Sequence, residues 1–292
     1  MENLSQPVET VTISVAIPVP VYLGDHHVSD RVVLPAVEAL QILARTLPAA
    51  AGVDPRRQER AVFSRFLSID PGVREIPAIH EFARTADGGC RSRFLTVVTG
   101  RNATWTRRIE HASVHFPPAD GKKEGEGNGP APVIGETTAG EGPVFTVSPR
   151  RLYDELVPFG PAYQNVVGDV RLASAGASAE VSGGDYPEAV GLLGSPFPFD
   201  AALHVACAWG QRYRGIVAFP VGFGRREIVV PTRADETYRC RVVPLPDAGA
   251  VLRFDILIAD DDDRPVEVIR GIAMRDISGG KRKPPAWIGE RT

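Results

Sequence analysis

Only six histidines occur in the 292 residues. Two of them fall in Asp25-His26-His27-Val28-Ser29-Asp30, just ahead of a helix-periodic apolar run that begins at Pro35. A histidine on a loop leading into a helix combines two useful properties. Its imidazole changes charge near neutral pH and can serve as a general base. The helix N-terminus beside it offers unpaired N–H groups that stabilise an oxyanion forming on a substrate carbonyl. Taken alone, such a histidine is more often a cap or a surface residue. A second pair changes the weighting, because Asp200 and His204 sit at i and i+4, on one face of a run that is apolar almost all round. Polar side chains buried among such neighbours are costly unless paired. The pair reads either as an N-cap aspartate meeting a histidine one turn on, or as a carboxyl whose burial raises its pKa enough to serve as an acid, oriented by His204.

The remaining reactive side chains carry weaker signals. His80, His111 and His115 have no acidic or cysteine partner at ligand spacing, which points to surface or strand-packing roles and to no metal site. Cys90, Cys207 and Cys240 form no C-x-x-C pair and read as packing residues. Asp260-Asp-Asp-Asp263 suggests a Ca²⁺ loop or a solvated hairpin turn. The absence of EF-hand glycine and glutamate spacing favours the turn.

The elements that must position these residues follow from periodicity. A β-rich lead at Val11–Ile17 precedes a helix over Pro35–Leu47, with Val37, Leu40, Leu43, Ala44 and Leu47 on one face and Pro35 at the first helical position. Strands at Phe94–Val98 and Trp105–Phe116 flank the turn-rich TGRNA. Ser148-Pro149 caps a short helix holding Leu152, Leu156 and Val157, and a strand-rich stretch runs from Phe159-Gly160-Pro161 to Val181. A second, all-round apolar helix covers about Phe199–Tyr213 and should be buried. Strands recur at Glu227–Val230, Tyr238–Val243, Leu252–Ala259 and Val266–Met274. The 29 Gly and 26 Pro, about 19% of the chain against a usual value near 12%, fit many short strands and turns. Much of that excess lies in Pro117–Pro143, which reads as a linker. The expected organisation is therefore residues 1–117, a linker at 118–143, and residues 144–292, each half a long apolar helix wrapped by a curled antiparallel sheet, with one extended core.

Composition narrows the function classes. With 33 Lys+Arg against 36 Asp+Glu the net charge is −3, which gives no footprint for nucleic acid. The longest apolar stretches, Ile216–Phe223 and Ala201–Gly210, fall short of the roughly 20 residues a membrane span needs. MENLSQPVET lacks the pattern of a secretory signal, so the expected compartment is the cytoplasm.

Three blocks resemble the dehydratase domains of polyketide synthases and multifunctional fatty acid synthases. The family's H-x-x-x-G-x-x-x-x-P reads here from His26 through Asp30 to Pro35. Its Y-G-P-x-F-Q reads Phe159-Gly160-Pro161-Ala162-Tyr163-Gln164, and its D-x-x-x-Q/H reads Asp200-Ala-Ala-Leu-His204. Order and separation match across nearly the whole chain. The resemblance implies an α+β double hotdog and elimination of water from a 3-hydroxyacyl thioester. His26 would remove the α-proton and Asp200 would protonate the leaving hydroxyl, with His204 orienting Asp200 and with Tyr163 and Gln164 in the pocket wall or behind it. Spacing to Pro35 selects His26 over the neighbouring His27. No cofactor is implied beyond the phosphopantetheine of an acyl carrier protein. The carrier and other synthase domains are the implied partners, and a homodimer the implied assembly. Arg65 and the pair Arg225-Arg226 would meet the phosphate of the carrier arm or remain solvated. The sequence departs from the family at Asp30 and Ala36, where glycine is usual. Aspartate tolerates the left-handed backbone such a glycine permits. Alternatives on the same fold are cyclisation of a poly-β-keto chain, double-bond isomerisation, or a degenerate module that only binds the carrier protein.

Overall fold

The alternating and β-branched runs become strands in the computed structural model, which describes residues 10–28, 30–100, 105–119, 143–246 and 250–290. Before the Gly/Pro-rich segment come β1 (Thr10–Pro18), β2 (His27–Val28), β3 (Arg31–Val32), α1 (Ala36–Arg45), β4 (Arg57–Phe63), β5 (Glu75–Arg84), β6 (Cys90–Thr99) and β7 (Thr106–Phe116). After it come β8 (Phe145–Val147), α2 (Pro149–Arg151), β9 (Val170–Ala173), β10 (Gly176–Ser182), α3 (Phe197–Arg214), β11 (Phe219–Ile228), β12 (Thr237–Pro244), β13 (Val251–Ala259), β14 (Pro265–Arg275) and α4 (Ala286–Gly289). Residues 120–142, most of the expected linker, lie outside the described residues.

Twelve strands join in the order β1-β5-β6-β7-β4-β11-β14-β13-β12-β10-β9-β8, and every pairing is antiparallel. The fold is a double hotdog, and its two sheets are not separate. β4 and β11 pair, with Glu59 opposite Arg225 and Ala61 opposite Phe223. Edge strands otherwise leave rows of unpaired N–H and C=O groups, and the junction satisfies both edges at once. Gly222 permits it, since a Cβ there would sit 2.2 Å from the Ala61 carbonyl oxygen. At this seam Arg226 Nε donates to Glu267 Oε1 at 2.7 Å and Nη1 to Gln58 Oε1 at 3.3 Å, all three side chains buried, with the guanidinium over Phe199. Arg226 is thus a seam residue and not a phosphate ligand, while Arg225 pairs with Glu227.

The helices sit against the sheet as their patterns require. Fifteen of the eighteen α3 residues are buried, and Trp209 Nε1 donates to the Ala173 carbonyl of β9. α1 begins one residue later than expected, because Pro35 keeps an extended ψ of 150° and serves as N-cap. α3 starts two residues early, at Phe197, and stops at Gly215, whose φ is +64°. β4 and β5 were not legible, being charge-rich. β11 starts well before the expected Glu227–Val230 and covers only its first two residues, while Val229 and Val230 bend outward and both donate to Val266 O. The Asp260–Asp263 run is a hairpin turn: Asp260 Oδ1 accepts from the N–H groups of Asp262 and Arg264, and Asp263 pairs with Arg239. Among the described residues no helix is long and apolar enough to cross a membrane.

Candidate active site

The spacing of the first motif has a mechanical explanation. β2 pairs with β3, His27 opposite Val32 and Val28 opposite Arg31, as a small hairpin with Asp30 between them at φ +56°. Aspartate therefore supplies the left-handed conformation that glycine would otherwise provide. The hairpin returns the chain so that Val33 lies opposite His26. Val33 N–H donates to His26 O at 3.0 Å, and His26 Nδ1 lies 2.9 Å from Val33 O. A carbonyl can only accept, so Nδ1 carries the proton and Nε2 keeps its lone pair. Two residues on, Pro35 opens α1 without a side-chain cap, leaving the N–H groups of the first turn unpaired beside the same cavity.

The second motif fixes His26 from the other half of the chain. Phe159 stacks on the imidazole at 4.5 Å, and Tyr163 meets it edge-on at 4.9 Å. Gly160 N–H donates to Asp25 O at 2.8 Å, and Ala162 N–H to Asp25 Oδ2 at 2.9 Å. A Cβ at Gly160 would lie 2.6 Å from Asp25 Cγ, so the strap closes only over glycine.

The third motif occupies the first turns of α3. His204 Nε2 lies 3.0 Å from Asp200 Oδ2, an ion-pair approach that is not aligned as a hydrogen bond. The other face of His204 is held by a chain: Val166 N–H donates to Tyr153 OH at 2.8 Å, and that hydroxyl lies 3.3 Å from His204 Nδ1. With its oxygen accepting from Val166, the hydroxyl proton points to Nδ1, which leaves the Nε2–H toward Asp200.

His26, Asp200 and His204 all line one cavity of about 690 Å³, together with Asp30, Pro35, Ala36, Phe159, Leu203 and Cys207. Arg65, Phe66, Phe219, Arg275 and Arg282 line it as well. Burial lowers His26 below the usual histidine range, against the opposing pull of Asp200. For Asp200 burial pushes the carboxyl up, as expected, but His204 and then His26 outweigh it and the net direction is down. The expectation of a raised carboxyl is thus reversed by its imidazole neighbours.

Several expected residues stand apart from the cavity. Tyr163 lies behind His26, Gly160 and Pro161 form the strap, and Gln164 is exposed, its Nε2 donating to Phe159 O at 2.8 Å. His27 is exposed at the rim. His111 lines the cavity and bonds to Thr96 and to Arg65 O, a position its strand-packing reading did not anticipate. His115 does acquire acidic neighbours, Asp87 and Glu59, from other strands. Sequence reasoning missed Asp25, Tyr153 and Cys207. Only Asp25 carried a signal, its place beside His26. Among the described residues no group of three or more His, Cys, Asp or Glu could hold a metal ion.

No protein-family model matches the chain, and no curated protein matches it in sequence. Solved structures do. The dehydratase domain from the CurK module of curacin polyketide synthase aligns with a TM-score of 0.70 at 14% identity, covering 99% of this chain and 97% of its own. The fold is that of polyketide synthase dehydratase domains. A mycocerosic acid synthase-like dehydratase domain gives 0.71 at 17% identity over 95% and 94%. The PpsC dehydratase domain from Mycobacterium tuberculosis, in complex with C12:1-CoA, gives 0.62 at 18% over 91% and 93%. Two further CurK dehydratase structures are of inactive mutants, one changed at a histidine and one at an aspartate.

Proposed function

We propose that this chain is a 3-hydroxyacyl thioester dehydratase of the polyketide synthase type, acting on a chain delivered by the phosphopantetheine of an acyl carrier protein. The observation that carries the reading is a histidine from one half and an aspartate from the other lining one cavity. His26, neutral through burial and with Nδ1 bonded to Val33, presents Nε2 as the base. The α C–H bond breaks with its proton passing to Nε2, and the electron pair forms the carbon–carbon double bond. The C–O bond breaks with its pair on oxygen, which takes a proton from Asp200 and leaves as water. Ala36, at the uncapped start of α1, lines the cavity, and its N–H would stabilise negative charge on the thioester oxygen. His204, held by Tyr153, orients Asp200.

CurK dehydratase is inactivated by changes at a histidine and at an aspartate, which agrees with these roles. The retained turn at Asp30 favours a working site over a degenerate one. Of Arg65, Arg225 and Arg226, only Arg65 lines the cavity, where it would meet the carrier arm. The carrier protein and neighbouring synthase domains are the partners this reading requires, with a homodimer as assembly and the cytoplasm as compartment. Incubation with a panel of 3-hydroxyacyl carrier thioesters, followed by mass spectrometry, should show loss of water. Loss of water that persists at the same rate in both His26→Ala and Asp200→Asn would overturn the assignment.

A further inference from the structure

The polar side chains that line the cavity fall into two groups. His27, Asp30, Ser64, Arg65 and Arg275 are exposed and stand at its rim, with Arg282 half-buried, its guanidinium 5.5 Å from the Phe219 ring. The buried ones are His26, His111, Asp200, His204 and Cys207. What these five can still bond decides which substrate the interior holds, because a polar group moved there from water is costly unless it finds a partner.

Three of the five are already engaged by the protein. His111 Nδ1 lies 3.1 Å from Arg65 O, and its Nε2 lies 2.8 Å from Thr96 Oγ1. A carbonyl only accepts, so Nδ1 donates and the Thr96 hydroxyl donates to Nε2. His204 meets Tyr153 through one nitrogen and Asp200 through the other. Cys207 Sγ accepts from Gln211 Nε2 at 3.5 Å, and that amide also donates to Leu156 O at 3.0 Å. Free capacity is left at His26 Nε2 and at Asp200, whose Oδ2 is buried without an aligned hydrogen bond. Both belong to the reacting end.

Beyond Asp200 the cavity follows α3. Asp200, Leu203 and Cys207 line it from one helical face, at i, i+3 and i+7, a span of about 10 Å. Among the described residues the other buried side chains of the lining are apolar, Phe94, Leu156, Ala218 and Met274 among them.

We propose that the acyl chain taken by this site is apolar beyond its β-carbon: a hydrocarbon chain, straight or methyl-branched, and not one carrying further hydroxyl or keto groups. The proposal rests on the dehydratase reading and names the substrate class of that site. The β-hydroxyl meets Asp200, and the thioester carbonyl meets the start of α1. An oxygen farther along the chain gives up its bonds to water and meets only hydrocarbon or side chains already bonded to one another. A poly-β-keto chain, with a carbonyl at every second carbon, suffers this repeatedly, so the same arrangement weighs against ring closure of such a chain. The polar rim suits the amides and phosphate of the carrier arm instead.

Carrier thioesters of one chain length test this on the full chain: 3-hydroxydecanoyl and its 7-methyl, 7-hydroxy and 7-oxo derivatives. Carbon 7 lies four bonds past the β-carbon, inside the stretch that α3 lines. The methyl group is close to the hydroxyl in size and separates bulk from polarity. Water loss followed by mass spectrometry should show the parent and 7-methyl chains processed alike. The two oxygenated chains should have a kcat/KM about 10- to 100-fold below the 7-methyl chain, the range in which a hydrophobic pocket rejects an added hydroxyl. Either oxygenated chain processed as well as the 7-methyl chain would overturn the proposal. So would a 7-methyl chain rejected as strongly as the 7-hydroxy one, since bulk and not polarity would then set the limit. If no thioester loses water, the dehydratase reading fails instead. Calorimetry with the four corresponding acyl-pantetheine amides then compares the chains by binding, with the same order expected and the same results overturning it.

Discussion

The two halves contribute to the site by different means. The N-terminal half presents His26 ahead of its helix, on a hairpin held by Val33 and by a strap from the other half through Asp25. The C-terminal half presents Asp200 from within α3, a helix buried on nearly every side. The proposed base therefore depends on long-range contacts for its position, whereas the proposed acid depends on packing and on a single relay through Tyr153. Sensitivity to mild acid through buried histidines divides the same way. His26, His80 and His111, all in the N-terminal half, are held below the usual histidine range by burial.

The largest effect that sharpens this comparison is on the proposed reacting pair. His26→Ala and Asp200→Asn should each slow dehydration by about 10³-fold, within the range for general acid–base groups, with little change in thermal unfolding. Equal, small losses would mean that neither half supplies chemistry.

Next comes the pH dependence of the N-terminal half. Burial lowers His80 to about 4, with Thr46 opposing. Between the unfolded value of about 6.5 and that folded value, the unfolded chain binds the proton and the folded one does not, so stability is complete above the window and falls as pH drops through it. The loss by pH 4 is on the order of 3 kcal/mol, and His80→Phe should flatten it. Denaturant unfolding followed by hydrogen exchange would read it. First loss of protection in α3 would contradict the assignment to the N-terminal half.

The strap is the third target. Gly160→Ala forces a Cβ against Asp25 and should cost about 2 kcal/mol of stability and slow turnover about tenfold through His26. The smallest effect is expected at Tyr153. Tyr153→Phe leaves Val166 N–H without its partner, about 1–2 kcal/mol, and should reduce turnover only a few-fold because α3 still fixes Asp200. A Tyr153 effect exceeding that of Gly160 would invert the comparison.

What was legible in the sequence follows the same division. α3 could be read because apolar residues on every side of a helix have one physical solution, and its i,i+4 pair came with it. The left-handed turn at Asp30 was legible from the glycine usual at that motif position and the backbone tolerance of aspartate, but the β2–β3 hairpin around it was not. The strap through Asp25 was not, since a contact 137 residues apart leaves no local pattern. Nor was the β4–β11 seam, where Gln58, Arg226 and Glu267 look like surface polar residues until the sheet brings them together. The net direction at Asp200 was misjudged because burial and two imidazoles compete, and only their arrangement decides which prevails.

The central claim is that both halves build one site. It is tested most directly by measuring water loss from a 3-hydroxyacyl carrier thioester for His26→Ala, Asp200→Asn and the double variant. Groups acting on one substrate in one step are grossly non-additive, so the double variant should be no more than a few-fold slower than the slower single variant. Rate losses that multiply would contradict a shared site.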